Sequence, residues 1–121
     1  TVRKAEVALA CNASENHLAQ VIHLLAQKEF LQTLRGRSGG LRLGRPAAQI
    51  RVGEVFRTFE SPLPFTECFP GAENSCPLVA CCRLKCALAT AVEAFYASLD
   101  TLTLDDMVRG NCDLEGLLKV A

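Results

Sequence analysis

The chain has 121 residues, enough for one domain with a modest core, and half of them are hydrophobic, which excludes a disordered chain. No apolar run reaches the roughly 18–20 residues that cross a bilayer, so we expect a cytoplasmic protein with no membrane contact. The formal net charge is zero, but the two halves differ: residues 1–60 carry nine basic and five acidic residues, whereas residues 61–121 carry four basic and eight acidic residues. This asymmetry favours a polyanion as the partner of the first half.

Two short helices joined by a tight turn are predicted at the start of the chain. Residues 3–10, RKAEVALA, have helical composition, and the turn CNAS ends in Ser14, a residue type that favours the N-cap position. From residue 15 to residue 28, apolar side chains recur at the spacing of one helix face, at Leu18, Val21, Ile22 and Leu25. This arrangement is typical of a helix-turn-helix.

A glycine-rich hairpin is predicted next, over residues 30–46. FLQTL and LRL alternate as strands do, and RGRSGG between them is a turn that carries two arginines. A basic hairpin directly after a helix-turn-helix is the arrangement called a wing. Pro46 ends the hairpin, and residues 50–59 then predict a short amphipathic helix. Its expected inward side chains are Val52, Val55, Phe56 and Phe59.

The first half therefore predicts a surface that binds double-stranded DNA. A helix-turn-helix places the first turns of its second helix against base edges in the major groove, where Asn and Gln read adenine. Arginines at the tip of a hairpin suit phosphates or a narrow minor groove. The alternative is an ordinary solvated helix face, but the basic hairpin favours DNA binding. The predicted DNA-binding residues are Ser14, Asn16, His17, Gln20, Arg35, Arg37 and Arg42.

Seven cysteines are many for this length, and five of them fall in one short segment. An odd number concentrated in this way makes a poor disulfide framework and indicates a metal, cluster or redox site. Residues 61–77 predict a Pro- and Gly-rich loop that runs into a long helix, and Cys68, Cys76 and, just beyond the loop, Cys82 can converge on iron; their spacing is not a zinc pattern. Reduced structural cysteines are the alternative. Cys86, four residues after Cys82, is either a fourth ligand or no ligand.

A long helix is predicted from about Leu78 to Leu99, followed by a short helix, LDDMV, capped by Thr103, and a C-terminal tail. Apolar side chains recur along the long helix at a 4-4-3-4 spacing, which suits packing against a twin helix as well as the chain's own core. We therefore expect a homodimer whose two recognition helices lie about 34 Å apart on a palindromic operator. The predicted dimer-interface residues are Leu84, Leu88, Val92, Phe95 and Leu99.

The remaining reactive side chains do not predict catalysis. His17 and His23 both lie on the predicted recognition helix, and no Cys–His or Ser–His–Asp order stands out, so the chain is not expected to be an enzyme. Cys11 and Cys112 are isolated along the chain and are expected to be buried as small hydrophobic side chains.

The predicted fold is mostly α and has three parts. A winged helix-turn-helix with a small β-hairpin wing occupies residues 1–60 and binds DNA. A cysteine-rich, cluster-binding loop occupies residues 61–77. A long dimerisation helix and a C-terminal tail occupy residues 78–121.

With these residues in place, the chain resembles the BadM/Rrf-type family of bacterial winged-helix regulators. The segments that carry the resemblance are the recognition helix with the wing, residues 14–46, then IRVGEVFRTFE, and then CRLKCALATAVEAFYASLDTLTLDDMV. The resemblance implies a homodimeric repressor whose 4Fe–4S or 2Fe–2S cluster is held by three loop cysteines, which map to Cys68, Cys76 and Cys82. It also implies that the family's first helix precedes Thr1.

Two branches of the family are similar to different parts of the chain. One branch is similar in the segments RLKCAL, AFYASLD and TLTLDDMV. In that branch nitric oxide nitrosylates the cluster and the protein leaves DNA, so nitric oxide is the expected effector. The seven-residue gap between Cys68 and Cys76 resembles an iron-responsive branch. A cluster-free thiol redox switch on DNA, with disulfides among the three loop cysteines, and a metal-binding module that never touches DNA are the remaining alternatives.

Overall fold

The computed structural model describes residues 1–60 and 62–118 and shows, within them, a mostly helical chain with one small antiparallel sheet. Its elements in chain order are α1 (Lys4–Ala10), α2 (Glu15–Gln27), β1 (Leu31–Leu34), β2 (Gly40–Leu43), a 3₁₀ turn (Ala47–Gln49), α3 (Val52–Glu60), α4 (Arg83–Asp100), α5 (Leu104–Val108) and α6 (Cys112–Leu118). The prediction of a mostly α fold with a small hairpin is confirmed. No helix in the described part of the chain is long and apolar enough to span a membrane.

The chain folds as two compact units. The first unit contains Thr1–Ile50 together with the chain from Leu104 onward, and the second contains Arg51–Thr103. The first unit therefore holds α1, α2, the hairpin, α5 and α6. The second holds α3, the cysteine-containing loop and α4.

The first unit is a helix-turn-helix joined to a hairpin over a small apolar core. Between α1 and α2, Asn12 adopts a left-handed φ of 50°, which asparagine tolerates and which allows the tight turn. β1 and β2 pair antiparallel, with Leu31 opposite Leu43. The buried side chains of this unit are Ala8, Ile22, Phe30, Leu41 and Ile50.

The chain that follows Leu104 joins the first unit at Ile50, whose side chain is only 1% exposed. The N–H of Leu104, the first residue of α5, donates to the carbonyl oxygen of Ile50 at 2.8 Å. The predicted C-terminal tail forms α6 as far as Leu118. The rest of that predicted tail, residues 119–121, lies outside the described residues.

In the second unit, α3 and α4 are joined by a close approach and a cluster of charges. A Cβ on Gly53 would lie 2.7 Å from the backbone nitrogen of Asp100, so α3 can approach α4 this closely only with glycine. Arg57 lies 3.0 Å from a Glu93 oxygen and 2.9 Å from an Asp100 oxygen, and its guanidinium lies over the buried Tyr96 ring at 4.8 Å. Hydrogen bonds to Glu93 and Asp100 raise the pKa of Arg57 further above its usual value.

The predicted start of the long helix is wrong. α4 begins at Arg83, and the residues from Leu78 to Cys82 form a turn in which the N–H of Cys81 donates to the Leu78 carbonyl at 3.1 Å. Cys82 has an extended backbone, with φ −78° and ψ 106°, which interrupts the helical hydrogen bonding. The residues just before Cys82 are apolar like those of the helix. The hydrophobic pattern of the sequence therefore could not show that α4 begins at Arg83.

The predicted inward orientation of Phe56 is also wrong. Its side chain is 43% exposed, and its ring lies edge-on to that of Phe95 with centroids 6.3 Å apart. The buried position of α3 is occupied by Gly53 instead. The close backbone approach at Gly53 therefore sets which side of α3 faces α4.

Candidate nucleic-acid interface and cysteine loop

The second helix of the helix-turn-helix begins at a capped N-terminus. Ser14 precedes α2 in an extended conformation, and its Oγ accepts a hydrogen bond from the N–H of His17 at 3.1 Å. The predicted N-cap at Ser14 is confirmed. Glu15 in the first turn lies 3.6 Å from Lys4 Nζ of α1, a contact that sequence reasoning missed. This pairing offsets a negative charge that would otherwise oppose a polyanion.

The side chains predicted to read bases lie on the exposed face of α2. Asn16 and Gln20 are four residues apart and share that face. On the opposite face, Ile22 is buried in the core of the first unit. The exposed members of the predicted set on this helix start are Ser14, Asn16, His17 and Gln20. The helix therefore presents amide groups to the solvent while its apolar face is packed.

The hairpin presents three exposed arginines. Gly36 in its turn has a φ of 103°, which favours glycine, and Arg35 and Arg37 flank this residue. Arg42 on β2 lies opposite Gln32 on β1, and its Nε and Nη2 donate to Gln32 Oε1 at 2.8 Å and 2.6 Å. Gln32 therefore fixes the direction of one guanidinium. Sequence reasoning missed Gln32, although the hairpin register, once assigned, would have paired it with Arg42.

The seven cysteines divide into two groups by exposure, and all are free thiols. The three predicted iron ligands, Cys68, Cys76 and Cys82, are half-buried. The expectation that Cys11 and Cys112 are buried is wrong: Cys11 is the C-cap residue of α1, Cys112 is the first residue of α6, and both are exposed. The exposed thiols are Cys11, Cys81, Cys86 and Cys112. The three cysteines predicted as iron ligands are thus also the three half-buried ones.

Each half-buried cysteine has a defined local setting. The Sγ of Cys68 lies 3.0 Å from Thr66 Oγ1, and the N–H of Cys76 donates to Asn74 Oδ1 at 3.1 Å. Cys82 is the N-cap residue of α4, and its side chain makes no capping hydrogen bond. A helix N-terminus carries unpaired N–H groups and a partial positive charge, which favour an anionic ligand there.

The donor chemistry of this loop fits an iron–sulfur cluster, because such clusters are held by cysteine sulfurs. The structure places Cys68, Cys76 and Cys82 in one connection between α3 and α4. Across residues 1–60 and 62–118, no three His, Cys, Asp or Glu side chains are grouped closely enough to hold a metal ion. The three sulfurs therefore share a loop but do not form a closed set of ligands.

The apolar row predicted on α4 divides into exposed and half-buried members. Leu84 is 64% exposed and Phe95 is 53% exposed. Phe56 of α3 continues this exposed surface through its ring contact with Phe95. The half-buried members of the row are Leu88, Val92 and Leu99.

Known sequences match nearly the whole chain. Residues 1–110 match the Rrf2 family, described as an iron-dependent transcriptional regulator. The chain is 40% identical over 114 residues to the HTH-type transcriptional regulator NsrR of Geobacillus kaustophilus (strain HTA426), which covers 94% of this chain and 78% of that protein. It is also 40% identical over 115 residues to NsrR of Bacillus subtilis (strain 168), and this match covers 95% of this chain and 79% of that protein.

Solved structures share the fold. T. potens IscR superposes with a TM-score of 0.68 at 27% identity, covering 89% of this chain and 69% of that one. CymR (YrzC), the global cysteine regulator of B. subtilis, gives a TM-score of 0.62 at 28% identity, and the match covers 88% of this chain and 76% of that one. These relatives confirm the winged-helix fold and the prediction of a regulator rather than an enzyme. The chain therefore belongs to the Rrf2 family of transcriptional regulators.

Proposed function

We propose that this chain is a DNA-binding repressor that senses nitric oxide through an iron–sulfur cluster held by Cys68, Cys76 and Cys82. The observation that carries the proposal is that these three cysteines are half-buried, whereas the other four are exposed. NsrR is the name of the nitric-oxide-sensitive branch that the sequence resembles, and 40% identity to two such proteins supports the same assignment.

The DNA-binding surface in this proposal consists of the start of α2 and the hairpin. Asn16 and Gln20 contact base edges in the major groove, and Ser14 and His17 contact bases or phosphates. The arginines of the hairpin contact phosphates, with Arg37 at the tip entering a narrow minor groove; the three are Arg35, Arg37 and Arg42. The exposure of all seven side chains supports this role.

A second copy of the chain completes the regulator. The exposed side chains of Leu84 and Phe95, extended by Phe56, are apolar surface that a twin α4 would cover. Leu88, Val92 and Leu99 complete the row on that helix. A two-fold dimer places the two recognition helices about 34 Å apart, one turn of DNA, and therefore binds a palindromic operator.

Coupling between the loop and α4 provides the mechanism. Cys68 and Cys76 lie in the loop and Cys82 begins α4, so holding one cluster ties the loop to that helix. When bound, the cluster supplies iron, for which nitric oxide is a strong ligand. A tied loop restrains α4 in the dimer and favours the spacing that fits DNA, and a released loop removes the restraint. A coupling free energy of about 1–3 kcal/mol is sufficient for such a shift.

An iron-responsive regulator is the second candidate. The seven-residue gap between Cys68 and Cys76 resembles that branch, and the matched family is described as iron-dependent. In this case the same three thiols hold the cluster, but loss of iron rather than nitric oxide releases DNA. A cluster-free thiol switch differs from both, because it predicts a colourless, iron-free protein that responds to oxidants.

Operator binding under anaerobic conditions separates these functions. The probe is a fluorescent palindromic duplex selected from a random library by the anaerobic protein, and binding is followed by anisotropy during titration with nitric oxide or with an iron chelator. We expect nitric oxide to release the duplex. Binding that survives nitric oxide but not chelation would overturn nitric oxide as the signal and favour the iron-responsive regulator.

Serine variants test the ligand assignment. Cys68→Ser, Cys76→Ser and Cys82→Ser should each lose iron and visible absorption and bind the duplex about tenfold more weakly, the effect of roughly 1.4 kcal/mol of lost coupling. Cys112→Ser, an exposed thiol of the first unit, is the matched control and should change neither property. Unchanged iron content and unchanged duplex binding in all three ligand variants would exclude the proposed site.

A further inference from the structure

A pocket at the start of α4 gathers three thiols and two basic side chains. Its volume is about 370 Å³, and its lining includes Cys81, Cys82 and Cys86 together with Arg83 and Lys85. The described lining contains no acidic side chain. Cys81 and Cys86 are exposed, so small molecules in solution reach this group of thiols directly. The proposed cluster uses only one of the three.

Two of these thiols lie four residues apart and line the same pocket. Cys82 is the N-cap residue of α4 and Cys86 is the fourth residue of that helix. Cys82 has an extended backbone and lies outside the regular helix. Cβ atoms four residues apart on a helix lie about 5–6 Å apart, farther than the roughly 3.5–4.5 Å of a disulfide, so the bridge requires the first turn of α4 to adjust. Side chains in a helix tilt towards its N-terminus, so Cys86 leans towards Cys82.

Cys81 is the less suitable partner for Cys86. It precedes Cys82 by one residue and lies outside the four-residue spacing, and its Sγ is 3.6 Å from the Leu78 carbonyl oxygen in the preceding turn. The geometry therefore favours a bridge between Cys82 and Cys86.

We propose that, in the cluster-free protein, Cys82 and Cys86 form a reversible disulfide by exchange with an anionic low-molecular-weight disulfide. The exposed Cys86 thiolate attacks one sulfur of the small disulfide, forms a mixed disulfide and releases one small thiol. The Cys82 thiolate then attacks the Cys86 sulfur and releases the second small thiol. The two protein thiols are oxidised, and the small disulfide is reduced to two thiols.

The two basic side chains select the class of oxidant. Arg83 and Lys85 carry positive charge beside the reacting sulfurs, and no acidic side chain of the pocket opposes them. A disulfide that carries carboxylates is therefore attracted to this pocket, whereas a disulfide that carries ammonium groups is repelled. Salt screens both effects.

The Cys82–Cys86 disulfide would prevent the protein from taking up its cluster. This consequence rests on the proposed function, because it takes Cys82 as a cluster ligand. A Cys82 sulfur bonded to Cys86 cannot bind iron, so the oxidised protein would accept iron and sulfide only after reduction. The formation of the bridge itself does not depend on that function.

Peptide mapping of the iron-free protein treated with oxidised glutathione tests the bridge. Trypsin cleaves after Arg83 and Lys85, so Cys82 and Cys86 fall on separate peptides that the disulfide would link. We expect the linked pair in the unmodified chain and in Cys81→Ser, and its loss in Cys82→Ser and Cys86→Ser. A link that persists in Cys82→Ser, or the absence of any link in the unmodified chain, overturns the proposal.

Two further measurements test the oxidant class and separate this inference from the proposed function. The bridging rate with oxidised glutathione should fall as salt is added, and the rate with cystamine should rise; equal salt responses would exclude an anionic oxidant. After oxidation, the unmodified chain should load iron only when reduced, whereas Cys86→Ser should load it directly. If never-oxidised Cys82→Ser loads iron normally, the cluster assignment fails while the peptide result stands.

Discussion

The hairpin and the cysteine loop are both glycine-containing connections, but different interactions hold them. The hairpin has a backbone ladder and the Arg42–Gln32 pair, and its base contains Phe30 and Leu41, which are 4% and 9% exposed. The loop is held by short-range turns, such as the hydrogen bond from Phe69 N–H to the Thr66 carbonyl at 3.0 Å. The hairpin is therefore held by strand pairing and buried apolar side chains, and the loop by local turns.

This difference matches the two tasks that we propose. A surface that meets DNA in a fixed register benefits from side chains that are already oriented, because ordering them on binding costs free energy. A loop whose sulfurs hold a cluster gains its order from the group that it binds. Such a loop changes when the group changes, which is what a sensor requires.

Truncating one phenylalanine in each region should give the largest contrast. Phe30→Ala removes a ring that is 4% exposed and should lower the free energy of unfolding by about 3–5 kcal/mol. Phe65→Ala removes a ring of the cysteine loop that is 64% exposed and should cost less than about 0.5 kcal/mol. Urea unfolding of the iron-free protein measures both. Equal losses would show that the loop is as firmly packed as the hairpin.

Removing the cap of α2 should give an intermediate effect. Ser14→Ala deletes the oxygen that accepts the N–H of His17 and should lower the free energy of unfolding by about 1 kcal/mol. Ser14→Asp keeps an acceptor at the same position and should retain most of that stability. Thermal unfolding compares the two variants. If Ser14→Asp is as destabilised as Ser14→Ala, the capping bond does not organise the start of this helix.

Removing one charge from the hairpin tip should give the smallest effect. Arg37→Gln removes one positive charge from the proposed DNA-binding surface and should reduce the slope of log K against log salt by about 1. Glu73→Gln, an exposed change in the cysteine loop, is the control and should leave the slope unchanged. Anisotropy with the selected duplex at several salt concentrations measures the slope. An unchanged slope in Arg37→Gln would remove this arginine from the DNA surface.

Local sequence determined much of the first unit. The periodic apolar residues of α2, the serine before it and the glycine-rich turn of the hairpin each act over a few residues, and the structure shows all three features. The three cysteines that spacing predicts as ligands, Cys68, Cys76 and Cys82, are also the three that are half-buried. The apolar pattern of α4 located most of that helix but not its start.

Only the tertiary structure decided which surfaces face outward and which groups meet. The exposure of Phe56 follows from the approach of α3 to α4 at Gly53, and the pairing of Arg42 with Gln32 follows from the hairpin register. The pocket lined by Cys82 and Cys86 lies at the start of α4, which is at Arg83 and not at about Leu78 as the apolar pattern predicted. These features depend on contacts between distant residues or on where a helix ends. Hydrophobic periodicity averages over neighbouring residues, so it predicts neither contacts between distant residues nor the exact boundary of a helix.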